Sequence, residues 1–534
     1  MKGSDLMTKY KTMDGNEACA SIAYLFNEVV GIYPITPSSP MPELIDEWSN
    51  QGKKNFFNDQ VKVVQMQSEA GAAGFVHGSL QSGLLTSTFT SSQGLLLMIP
   101  NMYKIAGEML PTVFNVAARS LASSALSIFG DHQDVYATRM TGFAMLASSS
   151  VQQVMNMTAI AHLSAIESSL PFINFFDGFR TSHELKKIRV LEPEEIKPLI
   201  NQEALLKFRH KALSPANILT RGTAQNDDVY FQAVETRNSD YDKLPDIVNK
   251  YMQEINKITG KNYQPFNYHG HPQAEDVIIA MGSVCDTIKE TIANLNDNGY
   301  QVGLLEVHLY RPFSSKYFKE SLPKGVKRIA VLDRTKEPGS AGEPLYLDVL
   351  SMFDQDKPLI IGGRYGLSSK DTNPSHIKAV YDHLKSNNPF HNFVVGIEDD
   401  VTNRSLKVNK FICTKNQVSE LLIYGFGSDG MVSASKSIIK IIGDNTDDYV
   451  QGYFQYDSKK SGGVTRSHLR FSPQPIKCAY YVTNPRLVVC SKEKYIDQYQ
   501  MIDNIKENGV FLYITNDSDQ EIIDRLSNHD KKIL

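Results

Sequence analysis

The sequence predicts a multidomain α/β protein. Three observations carry that expectation. The first is length, because 534 residues exceed what one hydrophobic core accommodates, and two to four domains are expected. The second is composition: 41% apolar and 21% charged residues are ordinary globular proportions, enough to bury several cores. The third is a recurring pattern in which a short β-branched run meets a glycine-bearing turn and then a helical period, the signature of parallel sheets covered by helices.

In the first stretch, to about residue 209, residues 61–66 (VKVVQM) read as a strand and SEAGAAGF behind them as a helix. Residues 84–89 (LLTSTF), 112–117 (TVFNVA) and 172–176 (FINFF) read as buried strands. QGLLLMIPNMYKIAGEM reads as a helix interrupted near Pro100, and residues 151–166 as a long helix. Residues 214–275 are polar, with one helix expected near 244–258, and are read as an irregular linker closing the first domain. A second unit follows, with strands at 277–282, 302–309, 328–333 and 393–397, a buried run at 358–362, and helices at 285–296 and 373–384. A third starts at 420–424 (ELLIY), passes a glycine-rich turn and a helix, and adds strands near Tyr480 and Phe511. Its tail, SDQEIIDRLSNHDKKIL, reads as a helix that leaves little room for a complete further sheet.

Composition also excludes function classes. With 55 basic and 59 acidic residues the net charge is −4, which gives no electrostatic footprint for nucleic acid or an anionic membrane surface. The first residues, MKGSDLMTKYKTMDGNE, lack the apolar core of a secretory signal, and the apolar stretch at 94–100 is too short to span a bilayer. A soluble cytoplasmic protein is expected, or an organellar one in a eukaryote. Cysteines stand at 19, 285, 413, 478 and 490, with no two within ten residues. That spacing suits neither a disulfide framework, a local zinc site nor an iron–sulfur cluster.

Several segments could carry chemistry. Residues 33–40 (YPITPSSP) hold three prolines, which fix an extended loop and present the hydroxyls of Thr36, Ser38 and Ser39 on a rigid backbone. Such a loop suits a small polar ligand, although a helix cap before MPELIDEW is the plainer reading from chemistry alone. Glu69 heads a helix in which Ala70, Gly71, Ala72, Ala73 and Gly74 are all small. A desolvated carboxyl there could move protons, while a first-turn glutamate stabilised by the helix dipole is the plainer reading. Arg119 ends an apolar strand before small residues, placed to fork a carboxylate or to form a structural ion pair. The groups Asp131-His132-Gln133-Asp134 and 177–184 (DGFRTSHE) lack metal-ligand spacing and read as polar loops, so no metal site is expected in this chain. Gly425–Gly430 (GFGSDG) fits G-x-G-x-x-G between a strand and a helix, and Asp444 stands near the distance of a ribose-binding acid; taken alone, that is a dinucleotide site. Residues 459–463 (KKSGG) resemble a phosphate loop only loosely.

Taken in order, YPITPSSPMPE, QMQSEAGAAG, NVAARSL, SIFGDHQDVYATRMTGFAMLAS and FFDGFRTSHE resemble the first domain of pyruvate:ferredoxin (flavodoxin) oxidoreductases. LYRPFS, AVLDRTKEPGSAGEPLYLDV and GGRYGLSSKD are similar to that family's transketolase-C-like domain. YGFGSDGMVSASKSIIKIIGDNT and GYFQYDSKKSGGVTRSHLRF resemble the start of its gamma domain. The resemblance implies a pyruvate- and pyrimidine-binding domain at 1–264, a transketolase-C-terminal-like domain at 265–413 and an incomplete gamma-type domain at 414–534. It implies Glu69 as the glutamate that hydrogen-bonds N1′ of the thiamine diphosphate aminopyrimidine. Thr36 and Arg119 would hold pyruvate, with Arg119 taking the carboxylate, and Gly425–Gly430 would be gamma-domain structure in place of a dinucleotide pocket. The reaction implied is the CoA-dependent oxidative decarboxylation of pyruvate to acetyl-CoA and carbon dioxide, with electrons passed to ferredoxin or flavodoxin.

Family members are more than twice as long as this chain, and their further domains bind Mg²⁺ with the cofactor diphosphate and hold [4Fe–4S] clusters. This sequence is therefore expected to supply the pyrimidine side alone and to be inactive by itself, as a homodimer or with a complementing subunit. An ending inside the third domain points to truncation or a frameshift over a split at a domain boundary. The alternatives are a non-catalytic binding or assembly subunit and a component of a related 2-oxoacid oxidoreductase.

Overall fold

The computed structural model describes residues 9–215, 217–218, 220–354, 357–413, 417–456, 463–526 and 531. The strands to residue 190 are β1 (Tyr10–Met13), β2 (Val29–Ile32), β3 (Lys62–Gln65), β4 (Thr86–Thr90), β5 (Val113–Ala118), β6 (Ala144–Ser148), β7 (Phe172–Asp177) and β8 (Leu185–Arg189). Next come β9 (Phe266–Gly270), β10 (Asp276–Ala280), β11 (Val302–Val307), β12 (Leu309–Arg311), β13 (Arg328–Asp333), β14 (Leu359–Arg364) and β15 (Phe393–Val394). The last are β16 (Ser419–Phe426), β17 (Tyr449–Tyr456), β18 (Val464–Ser472), β19 (Leu487–Cys490) and β20 (Val510–Tyr513). The chain divides into two compact units, residues 15–182 with 191–413, and residues 1–14 with 183–190 and 414–534.

The larger unit contains two sheets. The first runs β12-β6-β7-β5-β4-β2-β3; β2 to β7 are mutually parallel, and β12 lies antiparallel on the edge. Every residue of β4, β5, β6 and β7 is buried, as a parallel sheet covered on both faces requires. The helices Gly15–Phe26 and Val151–Ser168 pack on each other, and the helix Glu69–Gln81 packs on β2 and β4. The second sheet runs β15-β14-β13-β10-β11-β9, parallel except for β9.

The larger unit adopts the parallel α/β architecture expected from the sequence. The interruption near Pro100 is real, because one helix covers Ser92–Leu97 and the next Ile99–Gly107. Three readings differ. Residues 214–275 are more ordered than a linker: helices cover Asp227–Glu235 and Asn238–Thr259, and β9 joins the second sheet. Pro245 suggests a helix start close by, yet it sits inside the longer helix, which Leu244, Val248, Tyr251, Met252 and Ile255 bury on one face. The single strand expected at 302–309 is two: β11 stays in the second sheet, and β12 crosses to pair with β6.

The smaller unit carries the sheet β1-β8-β17-β18-β16-β19-β20. The pairing of β17 with β18 differs from the expectation, which has no strands there, and Tyr480 lies outside any strand. The hairpin hides its alternation by burying Gln451, His468 and Arg470. Arg470 is held by Glu420 Oε1 at 2.7 Å, Gln451 Oε1 at 2.9 Å and the carbonyl of Tyr480 at 2.8 Å. The helical tail is observed over Asp519–Arg525. Residues 459–462 of the loose phosphate-loop match lie outside the described residues.

Candidate active site

In an open parallel sheet, ligands bind beyond the carboxyl ends of the strands, where neighbouring connections leave in opposite directions. Here β2 and β4 are neighbours; the chain leaves β2 for β3 on one side and leaves β4 for β5 on the other. The segments at this carboxyl edge are residues 33–40 after β2, Ser68-Glu69 after β3, 91–94 after β4, and Arg119 after β5. The motifs singled out in the first domain thus converge because of topology.

Glu69 is the first residue of its helix, and Ser68 caps it, Oγ accepting from the Gly71 N–H at 3.1 Å. The helix-start reading is therefore correct, but it does not exhaust the residue. Glu69 is only 7% exposed, and its carboxylate makes no hydrogen bond or ion pair with any described residue. Gly94 lies against it: a Cβ there would meet Glu69 Cγ at 2.8 Å, Glu69 Oε1 at 2.9 Å and Thr90 Oγ1 at 2.8 Å. Thr90 Oγ1 is itself buried without a hydrogen-bond partner.

Thr36 and Arg119 are brought together. Arg119 Nη1 donates to the Thr36 carbonyl at 2.7 Å, and Nε donates to the Ser127 carbonyl at 3.3 Å. Nη2 has no partner among the described residues. Burial lowers the Arg119 pKa from its ordinary value, against the opposing pull of Asp134. Thr36 is exposed, with its hydroxyl available to a ligand. Ser39, which precedes the helix Pro40–Asn50, makes no side-chain cap, and Ser38 Oγ donates to the Ile35 carbonyl at 2.7 Å. Gly178 lets these loops close in, since a Cβ there would stand 2.6 Å from the Ala118 carbonyl oxygen and 2.9 Å from Pro37 Cγ.

Asp134 links the two halves of the site. Its Oδ2 accepts from the Ser92 N–H at 2.7 Å and the Arg119 N–H at 2.9 Å; Oδ1 accepts from the Val135 N–H at 2.8 Å. Burial pushes its carboxyl up to about 7, against the three N–H groups that favour the charged form. One side chain thus ties the helix bearing Gly94 to the strand end bearing Arg119. Asp131 and His132 lie in the connection expected there, and Asp131, His132 and Asp134 are all buried, which the sequence reading did not specify. Nothing local in the sequence separates such an acid from a surface one.

Asp177, at the head of the second group, is likewise buried. His132 Nε2 lies 2.6 Å from Asp177 Oδ1, and Arg334 Nη1 and the Ser283 N–H reach Oδ2 at 2.5 and 2.9 Å. Asp177 ends β7, Arg334 follows β13 and Ser283 follows β10, so the two sheets of the larger unit meet at their carboxyl ends around one buried charge network. Burial alone would raise the Asp177 carboxyl; Arg334 and His132 outweigh it and hold the group well below the usual carboxylate range.

In the smaller unit the glycine-rich turn is filled by its own acid. Asp429 accepts from the N–H groups of Phe426 and Met431 at 2.7 and 2.9 Å and from Ser491 Oγ at 2.7 Å. A carboxylate thus occupies the helix start that a pyrophosphate would need. Asp444, the would-be ribose acid, accepts from the Thr12 N–H at 2.7 Å. The dinucleotide reading is not supported by this geometry.

Comparison with known proteins agrees with this architecture. Residues 21–253 match the family model described as pyruvate flavodoxin/ferredoxin oxidoreductase, thiamine diphosphate-binding. Residues 274–377 match pyruvate:ferredoxin oxidoreductase core domain II, and residues 420–533 match pyruvate ferredoxin/flavodoxin oxidoreductase. The chain belongs to the pyruvate ferredoxin/flavodoxin oxidoreductase family. It is 56% identical to the pyruvate-flavodoxin oxidoreductase of Enterobacter agglomerans, over 94% of this chain and 43% of the relative. It is 54% identical to the pyruvate:ferredoxin oxidoreductase of Moorella thermoacetica, over 97% of this chain and 44% of the relative. The chain thus spans less than half the length of these oxidoreductases. A 2-oxoglutarate:ferredoxin oxidoreductase from Magnetococcus marinus shares the fold, with a TM-score of 0.54 at 17% identity, over 71% of this chain and 65% of that one. No helix among the described residues is long and apolar enough to cross a membrane.

Proposed function

We propose that this chain supplies the aminopyrimidine- and substrate-binding part of an oxidoreductase that converts pyruvate and coenzyme A to acetyl-CoA and carbon dioxide. Two electrons pass to ferredoxin or flavodoxin. The observation that carries this reading is Glu69, a largely buried residue whose carboxylate has no partner among the described residues, at the carboxyl edge of the sheet, with Gly94 packed so close that a Cβ there would stand 2.8 Å from Glu69 Cγ. These residues fit thiamine diphosphate, since a carboxylate in a site of small residues suits a flat ring with a basic nitrogen. Bound thiamine diphosphate supplies a ring that accepts the electron pair left when a 2-oxo acid loses carbon dioxide.

Glu69 would hold the proton shared with N1′ of the aminopyrimidine. Arg119 would offer Nη2 to the pyruvate carboxylate while Nε and Nη1 stay bound to the Ser127 and Thr36 carbonyls. The Thr36 hydroxyl, on its proline-fixed loop, would donate to the substrate beside it. Mg²⁺ and [4Fe–4S] clusters would be held by segments outside these 534 residues, because the five cysteines here are separate buried thiols. By itself the chain would transfer no electrons.

The test has two arms. The purified chain, given pyruvate, coenzyme A and thiamine diphosphate, is expected to leave methyl viologen oxidised. In the enzyme completed by the segments its longer relatives carry, Glu69→Gln is expected to slow viologen reduction by about 10²–10⁴-fold, the range for a lost acid–base group. Full activity of the Gln variant would remove Glu69 from the mechanism, and viologen reduction by the chain alone would refute its incompleteness.

A further inference from the structure

We infer that the turn at residues 366–369, contributed by the second sheet, is a clamp that positions Arg119 for a substrate carboxylate, with Ser368 and Ser369 as its positioning residues. The inference rests on the reading of Arg119 as the carboxylate-binding group.

The first observation is backbone conformation. Gly366, Ser368 and Ser369 have φ of 63°, 52° and 56°. Glycine adopts this left-handed region freely, but adjacent serines do not, and L-residues stay there only where their surroundings hold them. Two consecutive serines in that state call for an account of what holds them.

The second observation is where their contacts go. The Ser369 N–H donates to the Gly130 carbonyl at 2.8 Å, and Ser369 Oγ accepts from the Gly130 N–H at 2.9 Å. The Ser368 N–H donates to Asp131 Oδ2 at 3.1 Å, and the Ser368 and Ser127 hydroxyls share a hydrogen bond. All four contacts fall on residues 127–131. The base of the turn is fixed in turn by Arg334, whose Nε donates to the Gly366 carbonyl at 2.9 Å.

The third observation is what residues 127–131 do. The Ser127 carbonyl accepts from Arg119 Nε, and Ser120 Oγ donates to the same oxygen at 3.2 Å. The Ser120 N–H donates to the Phe129 carbonyl at 3.1 Å. Residues 122–126, between Arg119 and this anchor, are exposed. The loop that orients one edge of the guanidinium is therefore held at its far end by the 368–369 turn. The left-handed backbone lets two successive N–H groups, with both hydroxyls, face that short stretch.

The test is the reactivity of Arg119 in the 534-residue chain, measured as phenylglyoxal labelling read by mass spectrometry, with and without pyruvate. Ser369→Gly and Ser368→Gly keep the left-handed backbone without strain and remove the hydroxyls; Ser127→Ala removes the opposing hydroxyl with the backbone untouched. Arg119 is expected to label about 5–10-fold faster in Ser369→Gly, and the pyruvate concentration giving half-protection is expected to rise by a similar factor, the size of one net hydrogen bond. Melting temperature should stay near that of the parent. Unchanged labelling and protection in all three folded variants overturns the clamp. A rise that appears only where melting has collapsed also overturns it, because the turn would then be merely structural. If pyruvate fails to protect Arg119 in the parent, the carboxylate reading falls, and the labelling rates of the variants still decide whether the turn holds the arginine.

Discussion

Replacing Asp177 by alanine is the sharpest perturbation of the frame behind the candidate site. Asp177 and Arg334 are both buried, at 0% and 4% exposure, and the carboxylate accepts from Arg334, from the Ser283 N–H and Oγ, and pairs with His132. Alanine would leave the guanidinium with the Gly366 carbonyl as its one hydrogen-bond acceptor among the described residues and would remove the carboxylate it pairs with directly. Breaking a buried pair by removing one partner costs about 3–5 kcal/mol. That is a large fraction of the ~5–15 kcal/mol that stabilises a domain. The pH dependence follows from linkage. The Asp177 carboxyl titrates lower in the folded chain than when unfolded, so its stabilisation is complete above about pH 4–5, the upper edge of ordinary carboxylate titration, and is lost as pH falls further. Urea unfolding followed by circular dichroism should therefore show a deficit in Asp177→Ala at pH 7 that narrows between pH 5 and pH 3. A deficit below about 1 kcal/mol at pH 7, the size of an exposed ion pair, would refute the reasoning, as would one that does not narrow in acid.

Two further outcomes are expected. Gly94→Ala puts a methyl within 3 Å of the Glu69 side chain and Thr90 Oγ1, so it should destabilise by ~1–3 kcal/mol as an overpacked site and weaken thiamine diphosphate binding; unchanged melting with unchanged calorimetric affinity would contradict it. Asp429→Ala should cost ~1 kcal/mol through loss of the N–H acceptor at the start of the helix Met431–Asn445, read as a lower melting temperature, and unchanged melting would contradict it.

Much of the fold could be read along the chain because its parallel strands are continuous apolar runs. β5, β7 and β13 announce themselves as TVFNVA, FINFF and RIAVLD, buried almost throughout. The elements that escaped are those whose burial is polar or whose pairing is distant. β1 has two exposed and two buried residues and finds its partner in β8, far along the sequence. The β17–β18 hairpin folds Gln451, His468 and Arg470 inward, where an alternation rule expects apolar side chains. Arg470 is tolerable there because Glu420, Gln451 and two carbonyls satisfy it, and all of those partners are remote in sequence except the carbonyls of Tyr480 and Tyr481.

The candidate site divides along the same line. Thr36, Glu69 and Arg119 stand at strand ends beside prolines, small residues and an apolar run, so local pattern could single them out. The residues that hold them could not be found in that way. Asp134 joins Ser92 to Arg119 across a gap in sequence, Gly94 shapes the space beside Glu69 from another connection, and Ser369 reaches Gly130 from the second sheet. Each is an ordinary residue type whose role depends on which chain segment lies opposite. The glycine-rich turn shows the converse. Gly425–Gly430 satisfies a motif by spacing, and the Asp429 carboxylate then occupies the N–H groups on which the motif's chemistry depends. A phosphate-binding helix start needs its donors free, and an acid inside the motif uses them before any ligand arrives. The identity of the residues between the glycines therefore decides between nucleotide site and self-capped turn, and here Asp429 decides for the turn.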